Sequence, residues 1–153
     1  MKKYELTAEF IEKWGKKLFR IKALISFGNV EAGEFGGYIE KEDNLAQDGD
    51  AWVYGNARVY GDAWVSGDAR VYGNADYLLI GRIGSRFSFT TFFKNKDKGI
   101  TVSCGCFLGT IAEFRAKVID THGNNKHAKM YNLAADMAEL QILGKNQEDE
   151  NEN

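Results

Sequence analysis

Two cysteines and two histidines are the side chains of this sequence best suited to chemistry. Cys104 and Cys106 flank a single glycine, and His122 and His127 follow farther along the chain. Thiolates and imidazoles are zinc ligands, and a cysteine beside a histidine can act as a nucleophile. Structural zinc sites usually have Cys-x2-Cys spacing, whereas Cys-x-Cys in a strand would place both thiols on one face. We therefore expect no metal and assign no catalytic residue, and the four residues are weaker candidates for a binding site.

A second set of polar residues recurs every six positions, each directly after a glycine: Asp50, Asn56, Asp62, Asp68 and Asn74. Carboxylates at a fixed spacing could form a ladder that binds cations. However, Asp and Asn next to glycine are also typical of turns, because both tolerate left-handed backbone angles. Turn chemistry explains the pattern, so we expect neither a metal nor another cofactor there.

These turns belong to a hexapeptide repeat that runs from Gly49 to Ala75. Each repeat contains glycine, Asp or Asn, alanine, a variable residue, valine and a second variable residue. A fixed period indicates a stacked architecture. The alternation within Ala-x-Val-x predicts a short strand that sends Ala and Val to one face and their neighbours to the other. Three such strands and their corners would complete one coil of the chain.

The variable residues would then point outward and form an aromatic and cationic surface: Trp52, Tyr54, Arg58, Tyr60, Trp64, Arg70 and Tyr72. Stacking by three repeats would place Trp52 beside Arg70 and Tyr54 beside Tyr72. Trp, Tyr and Arg are enriched at interface hot spots, so we expect these seven residues to bind a partner or ligand. The expected partner is a second copy of the chain, as a homo-oligomer (trimer or dimer). The alternative is that good strand formers merely cover the repeats or lie beneath flanking segments.

The repeat resembles that of hexapeptide-repeat left-handed parallel β-helix proteins, in which an aliphatic residue precedes a small one by four positions. Val53 with Ala57 and Val59 with Ala63 match this pattern. Together with Gly36–Glu40 and the CysGlyCysPhe run at Cys104, the repeat also makes the chain similar to proteins encoded by phages and prophages. The resemblance implies a mobile-element origin.

The same resemblance brings enzymes into consideration, because acyltransferases and carbonic-anhydrase-like proteins share the repeat. Those enzymes use histidines close to the repeats, whereas the first histidine of this chain is His122. We therefore expect a non-enzymatic binding protein, with an acyltransferase-like enzyme or a purely structural oligomer as alternatives. A counter-defence factor that binds a host bacterial protein or sequesters a small signalling nucleotide would suit a mobile-element origin.

The expected fold is mainly β: a short left-handed parallel β-helix at 27–84, capped by a strand or hairpin at 1–26 and by a ββαα unit at 85–143. A helix from Thr7 is the competing interpretation of the first segment. In the ββαα unit, two alternating strands precede a helix with Thr110 as its N-cap and Glu113 completing a capping box, and a second helix follows. Residues 144–153 are expected to be a disordered acidic tail.

Composition limits the classes of partner. The chain has 153 residues and a formal net charge of −2, which argues against general nucleic-acid binding. No apolar run reaches membrane-spanning length, and the N-terminus has no signal-peptide pattern. Two cysteines do not make a disulfide framework. We therefore expect a protein of the host bacterial cytoplasm that does not bind membranes.

Overall fold

The chain divides into two compact units, Met1–Asn74 and Ala75–Asn153, in a computed structural model that describes residues 2–144. The described part is mainly β, with a pair of helices near its C-terminal end. Apart from Gly144, the expected tail at 144–153 lies outside the described residues. The expected division into four segments stays a prediction.

The first unit contains six strands in two sheets: β1 (Tyr4–Lys13), β2 (Lys16–Ala23), β3 (Phe35–Ile39), β4 (Trp52–Val53), β5 (Arg58–Val59) and β6 (Arg70–Val71). The larger sheet has the order β1-β2-β3-β5, and the smaller one pairs β4 with β6. The β1–β2 and β2–β3 pairs are antiparallel. The β3–β5 and β4–β6 pairs are parallel. A short 3-10 turn, Glu42–Asn44, lies between β3 and β4.

The first 26 residues form the expected hairpin, and the competing helix from Thr7 is wrong. β1 and β2 are joined by Trp14 and Gly15, whose φ angles of 53° and 76° lie in the left-handed region. Glycine adopts that region at little cost, and two residues there make the tight turn that suits twisted strands. The Trp14-Gly15 pair therefore ends one strand and begins the next.

The local structure predicted for the repeats is confirmed. The alanines and valines of the four complete repeats are nearly inaccessible to solvent, whereas Ala75 at the end of the pattern is exposed: Ala51, Val53, Ala57, Val59, Ala63, Val65, Ala69 and Val71 are buried. The glycines that open the repeats turn the chain with φ between 57° and 71° at Gly49, Gly55, Gly61 and Gly67. Trp52 pairs with Arg70, and Val53 with Val71, in the predicted register. Alternation and turn chemistry thus act as the sequence indicates.

The left-handed parallel β-helix predicted for 27–84 is wrong, and so is the resemblance to that family. Residues 2–144 form an antiparallel sheet, a mixed sheet and one parallel pair of two-residue strands, and they contain no parallel β-helix. The repeat strands are only two residues long, so they contribute few backbone hydrogen bonds to a parallel ladder. The longer β1–β2 hairpin instead pairs antiparallel with β3 and provides most of the sheet. Residues 77–83, predicted to continue the β-helix, form an antiparallel strand of the second unit.

The described part of the second unit, 75–144, contains one antiparallel sheet and two helices. Its strands are β7 (Tyr77–Ile83), β8 (Ser88–Lys94), β9 (Ile100–Cys104) and β10 (Phe107–Thr110), in the order β10-β9-β8-β7. A 3-10 turn, Asn74–Asp76, precedes β7. The sequence predicted the β8–β9 hairpin. It missed β7, because that stretch was read as part of the repeats, and it missed the turn that divides the CysGlyCysPhe run.

The helix pair is confirmed: α1 spans Ile111–His122 and α2 spans Lys126–Ala138. The predicted capping box opens α1. The Thr110 hydroxyl accepts the Glu113 backbone N–H at 3.2 Å, and the Glu113 carboxylate accepts the Thr110 N–H at 2.9 Å. The Asn125 side chain caps α2 by accepting the Ala128 N–H at 3.1 Å. A π-helical turn, Glu139–Leu143, extends α2.

Candidate functional site

Trp52, the first of the predicted surface residues, is buried with 1% of its surface exposed. Its ring packs edge-on against Tyr4 and Phe27, with centroid distances of 6.1 and 5.2 Å. Trp52 is therefore covered by other residues of the chain, as the alternative interpretation expects, and is not part of an exposed surface. Residues distant in sequence bury it: Tyr4 on β1 and Phe27 cover the face that alternation assigns to solvent.

The other predicted surface residues keep more contact with solvent but are divided among several contacts. Tyr54 and Tyr72 stack with centroids 4.4 Å apart, as the repeat spacing predicts. Tyr60 packs on Trp14 of the hairpin turn at 5.2 Å. Arg58 and Arg70 are half-buried, and Trp64 is 40% exposed. Whether these residues bind a partner stays a prediction.

The second unit contains a cavity of about 420 Å³ that gathers residues from two strand turns and both helices. We call it the hairpin pocket, and its lining is Ser85, Arg86, Ser88, Cys104, Gly105, Cys106, Phe107, Phe114, Lys117, Val118, Thr121, His122 and Tyr131. The β7–β8 and β9–β10 turns form one side, and α1 and Tyr131 of α2 form the other. This size lies within the range of small-molecule sites.

The charged side chains that line the hairpin pocket are both positive. Arg86 comes from the β7–β8 turn and Lys117 from α1, and no Asp or Glu contributes to the lining. Hydroxyl groups of Ser85, Ser88 and Thr121 add neutral hydrogen-bond donors. Cationic groups in a lining that contains no carboxylate favour an anion.

The inner wall of the pocket is aromatic. Phe114 packs edge-on against Tyr131, with centroids 5.6 Å apart, and lies 5.8 Å from Phe107. It also packs against Phe92 in the core of the sheet at 5.7 Å. These contacts hold the rings in fixed orientations, so the pocket offers rigid apolar edges to a ligand.

Cys104 and Tyr131 are neighbours in this lining. The Thr90 hydroxyl donates a hydrogen bond to Cys104 Sγ at 3.2 Å. Burial, together with the nearby Cys104 thiol, raises the pKa of Tyr131 above its ordinary value. Tyr131 therefore stays protonated at neutral pH and presents a hydroxyl rather than a phenolate.

The four candidates for chemistry are only partly brought together. Cys104, Cys106 and His122 all line the hairpin pocket, whereas His127 lies outside its lining. His127 packs against His122 with ring centroids 5.5 Å apart, and its buried Nδ1 has no hydrogen-bond partner. Cys106 lies in the β9–β10 turn and is exposed. The expectation that both thiols share one strand face is wrong, because the strand ends at Cys104.

The arrangement does not make a metal centre or an activated nucleophile within residues 2–144. In that part of the chain, no three His, Cys, Asp or Glu side chains lie close enough to hold a metal ion. Cys104 Sγ accepts a hydrogen bond from the Thr90 hydroxyl, and within residues 2–144 no imidazole bonds to either thiol. Thiol–imidazole contact is the usual structural signature of a catalytic cysteine.

Sequence reasoning missed most of the pocket. Arg86, Lys117 and Tyr131 are spread over three elements and belong to no repeat or motif. Arg86 precedes an alternating strand, and Lys117 lies on the polar side of an amphipathic helix. Nothing in their spacing links them, since only the pairing of β7 to β10 and the packing of α1 bring them together.

Comparison with known proteins leaves the chain without a family assignment. No protein-family model matches it, and the search of curated proteins gives no match. The phage and prophage resemblance therefore has no support from either comparison. Among the residues that the structure describes, no helix is both long enough and apolar enough to cross a membrane.

Proposed function

We propose that the second unit is a non-enzymatic binding module that sequesters a small anionic ligand with a planar ring in the hairpin pocket. The observation that carries the proposal is a cavity of about 420 Å³ with Arg86 and Lys117 in its lining and no carboxylate. A nucleotide belongs to this ligand class, as the sequence analysis anticipated on other grounds. Binding of a host protein and a counter-defence role stay predictions.

The two halves of such a ligand match different parts of the lining. A guanidinium can bind a phosphate through two parallel hydrogen bonds, and an ammonium adds a compact positive charge. Ser85, Ser88 and Thr121 supply hydroxyl donors for the remaining oxygen atoms. The rings of Phe107, Phe114 and Tyr131 provide apolar contact for a flat heterocycle.

Binding without turnover agrees best with the arrangement of the thiols. Cys104 accepts a hydrogen bond from a neutral hydroxyl, and Tyr131 beside it has a raised pKa. Neither group is a base like the histidine that takes the proton of a catalytic cysteine. The acyltransferase-like alternative has no specific observation in its favour.

Calorimetric titration of the full chain tests the proposal. The probes are 5′-AMP and 5′-GMP, with adenosine and inorganic phosphate as partial ligands. We expect at least one nucleotide to bind more tightly than either partial ligand. Arg86→Ala and Lys117→Ala should each weaken binding about tenfold, since a charge-assisted hydrogen bond is lost.

Lys96→Ala is the matched control. Lys96 is exposed in the β8–β9 turn and outside the pocket lining, so its loss removes the same charge without removing a contact. We expect it to change affinity by less than about twofold, through long-range electrostatics alone. The proposal fails if neither nucleotide binds at about 1 mM, or if all three variants behave alike.

A further inference from the structure

The methionines and the leucine of α2, together with Leu140 in the π-helical turn that extends it, face solvent rather than the core. Met130 and Leu133 are 38% and 66% exposed, and Met137 and Leu140 are 55% and 50% exposed. The side of α2 that packs against the sheet consists mainly of alanines: Ala128, Ala134, Ala135 and Ala138, with Tyr131. A helix of a monomer normally buries its largest apolar residues and exposes its polar ones.

The four exposed residues form a regular line, which we call the α2 stripe. They follow one another at intervals of three, four and three residues. This is the a/d spacing of a heptad, the pattern by which one helix packs lengthwise on another. Scattered exposed hydrophobic residues need no explanation, but a contiguous line of four marks an interaction surface.

The charges beside the stripe on one copy of the chain would complement those on a second copy. Lys126 and Lys129 lie at the N-terminal end, and within residues 2–144 neither forms an ion pair. Asp136 and Glu139 lie toward the C-terminal end, where Arg115 of α1 pairs with both carboxylates. One guanidinium between two carboxylates leaves that end net negative. The basic end of one α2 would therefore attract the acidic end of another in the opposite direction.

We infer that the α2 stripe is a homodimer interface in which α2 packs antiparallel against α2 of a second copy. A two-fold axis makes such an interface self-complementary, so each contact occurs twice. Leu133 would meet the partner's Met137, and Met130 would meet the partner's Leu140. In this register the partner's Glu139 lies level with position 131, so Lys129 would approach that carboxylate. A parallel arrangement would instead bring like charges together at both ends. The inference is independent of the hairpin pocket, whose lining does not include the stripe.

Sedimentation analysis of the full chain at about 100 µM tests the interface, because dimers of modest size dissociate in the micromolar range. We expect a dimer, and we expect Leu133→Ser to convert it to a monomer with an unchanged circular dichroism spectrum. Leu108→Ser is the matched control, since Leu108 on β10 is 52% exposed but lies outside the stripe. A monomeric wild type, or a dimer that Leu133→Ser leaves intact, would overturn the inference.

Cross-linking tests the antiparallel direction. The background chain carries Cys104→Ser and Cys106→Ser, so that no native thiol remains. A mixture of a Met130→Cys chain and a Leu140→Cys chain should form a disulfide between the two under mild oxidation. The Met130→Cys chain alone should not, because its thiols would lie at opposite ends of the interface. Efficient cross-linking of the Met130→Cys chain to itself would contradict the antiparallel arrangement.

Discussion

Lys3 shows how a single buried amine can hold a loop in place. Its side chain is 1% exposed, and its Nζ donates to the carbonyl oxygen atoms of Ala51, Gly49 and Asp48 at 2.8, 3.3 and 3.4 Å. The amine also lies 4.7 Å from the Phe27 ring centroid. Burial lowers the pKa of Lys3 to about 8, although Asp48 and Asp50 act in the opposite direction.

This lowered pKa predicts how stability changes with pH. Between about pH 8 and pH 10, the unfolded chain keeps the Lys3 proton while the folded chain has lost it. The free energy of unfolding should therefore rise with pH, by about 2 kcal/mol between pH 7 and 9.5. Urea denaturation across this range measures the rise, and Lys3→Met should remove it. Lys2→Met should retain it, because Lys2 is exposed.

The titration of Tyr4 limits the pH range over which the free energy of unfolding rises. Burial raises the pKa of Tyr4, whose hydroxyl donates to the Leu45 carbonyl oxygen at 2.5 Å. Above about pH 10 the unfolded chain loses this proton while the folded chain keeps it, so stability should fall again. A free energy of unfolding that is flat from pH 7 to 9.5 would contradict the assigned role of Lys3.

Gly84 is the residue on which the shape of the hairpin pocket depends most directly. Its φ is 84°, and a Cβ at this position would overlap the Tyr131 hydroxyl. We expect Gly84→Ala to lower the free energy of unfolding of the second unit by about 3 kcal/mol, from backbone strain together with displacement of a buried ring. Thermal denaturation followed by circular dichroism at 222 nm measures this loss.

A variant at Gly123 separates the two causes of the loss expected at Gly84, which are backbone strain and overlap with Tyr131. Gly123 also has a positive φ, of 64°, but a Cβ there would meet no atom within 4 Å. Gly123→Ala should therefore cost only the backbone strain, about 1 kcal/mol. Equal losses for the two variants would mean that the Tyr131 contact contributes nothing.

At the scale of elements, the start of α1 depends on a reciprocal pair of hydrogen bonds. Thr110 and Glu113 satisfy each other's backbone N–H groups. Hydrogen bonds with Thr110 hold the pKa of the Glu113 carboxyl below its ordinary value, and the one from the Thr110 backbone N–H has the largest effect. Thr110→Ala should lower the free energy of unfolding by about 1 kcal/mol, as is typical for a lost N-cap.

Glu113→Gln provides the comparison for this cap. Glutamine keeps an oxygen acceptor for the Thr110 N–H but carries no charge. Glu113→Gln should therefore lower the free energy of unfolding by less than Thr110→Ala does. Chemical denaturation at pH 7 measures both variants. A Thr110→Ala chain as stable as wild type would show that the cap does not determine where α1 begins.

At the scale of the whole molecule, local signals predicted local structure well. Alternation predicted the burial of Val59 and Val71, glycine predicted the corners, and the Thr110 cap predicted the start of α1. Each of these features depends on residues that are neighbours in sequence, so the physical cause is visible in the sequence itself.

Pairing over long distances could not be predicted in the same way. The repeat spacing is compatible with a long parallel stack, and nothing within it shows that the β1–β2 hairpin pairs antiparallel with β3. The burial of Trp52 likewise depends on Tyr4 and Phe27, which the periodicity of the repeat does not include. The hairpin pocket is the extreme case, because Arg86 and Lys117 meet only after the sheet and α1 have packed.

The most direct test of the proposed binding site is an NMR titration of the full chain with 5′-AMP or 5′-GMP, followed through backbone amide shifts. We predict that the largest shifts fall at 85–88, 104–107 and 117–122, the three segments that line the hairpin pocket. Saturation of these shifts at or below about 1 mM would agree with a specific small-molecule site. Shifts concentrated instead at Trp64 and Tyr72 in the first unit, or no shifts at that concentration, would contradict the account.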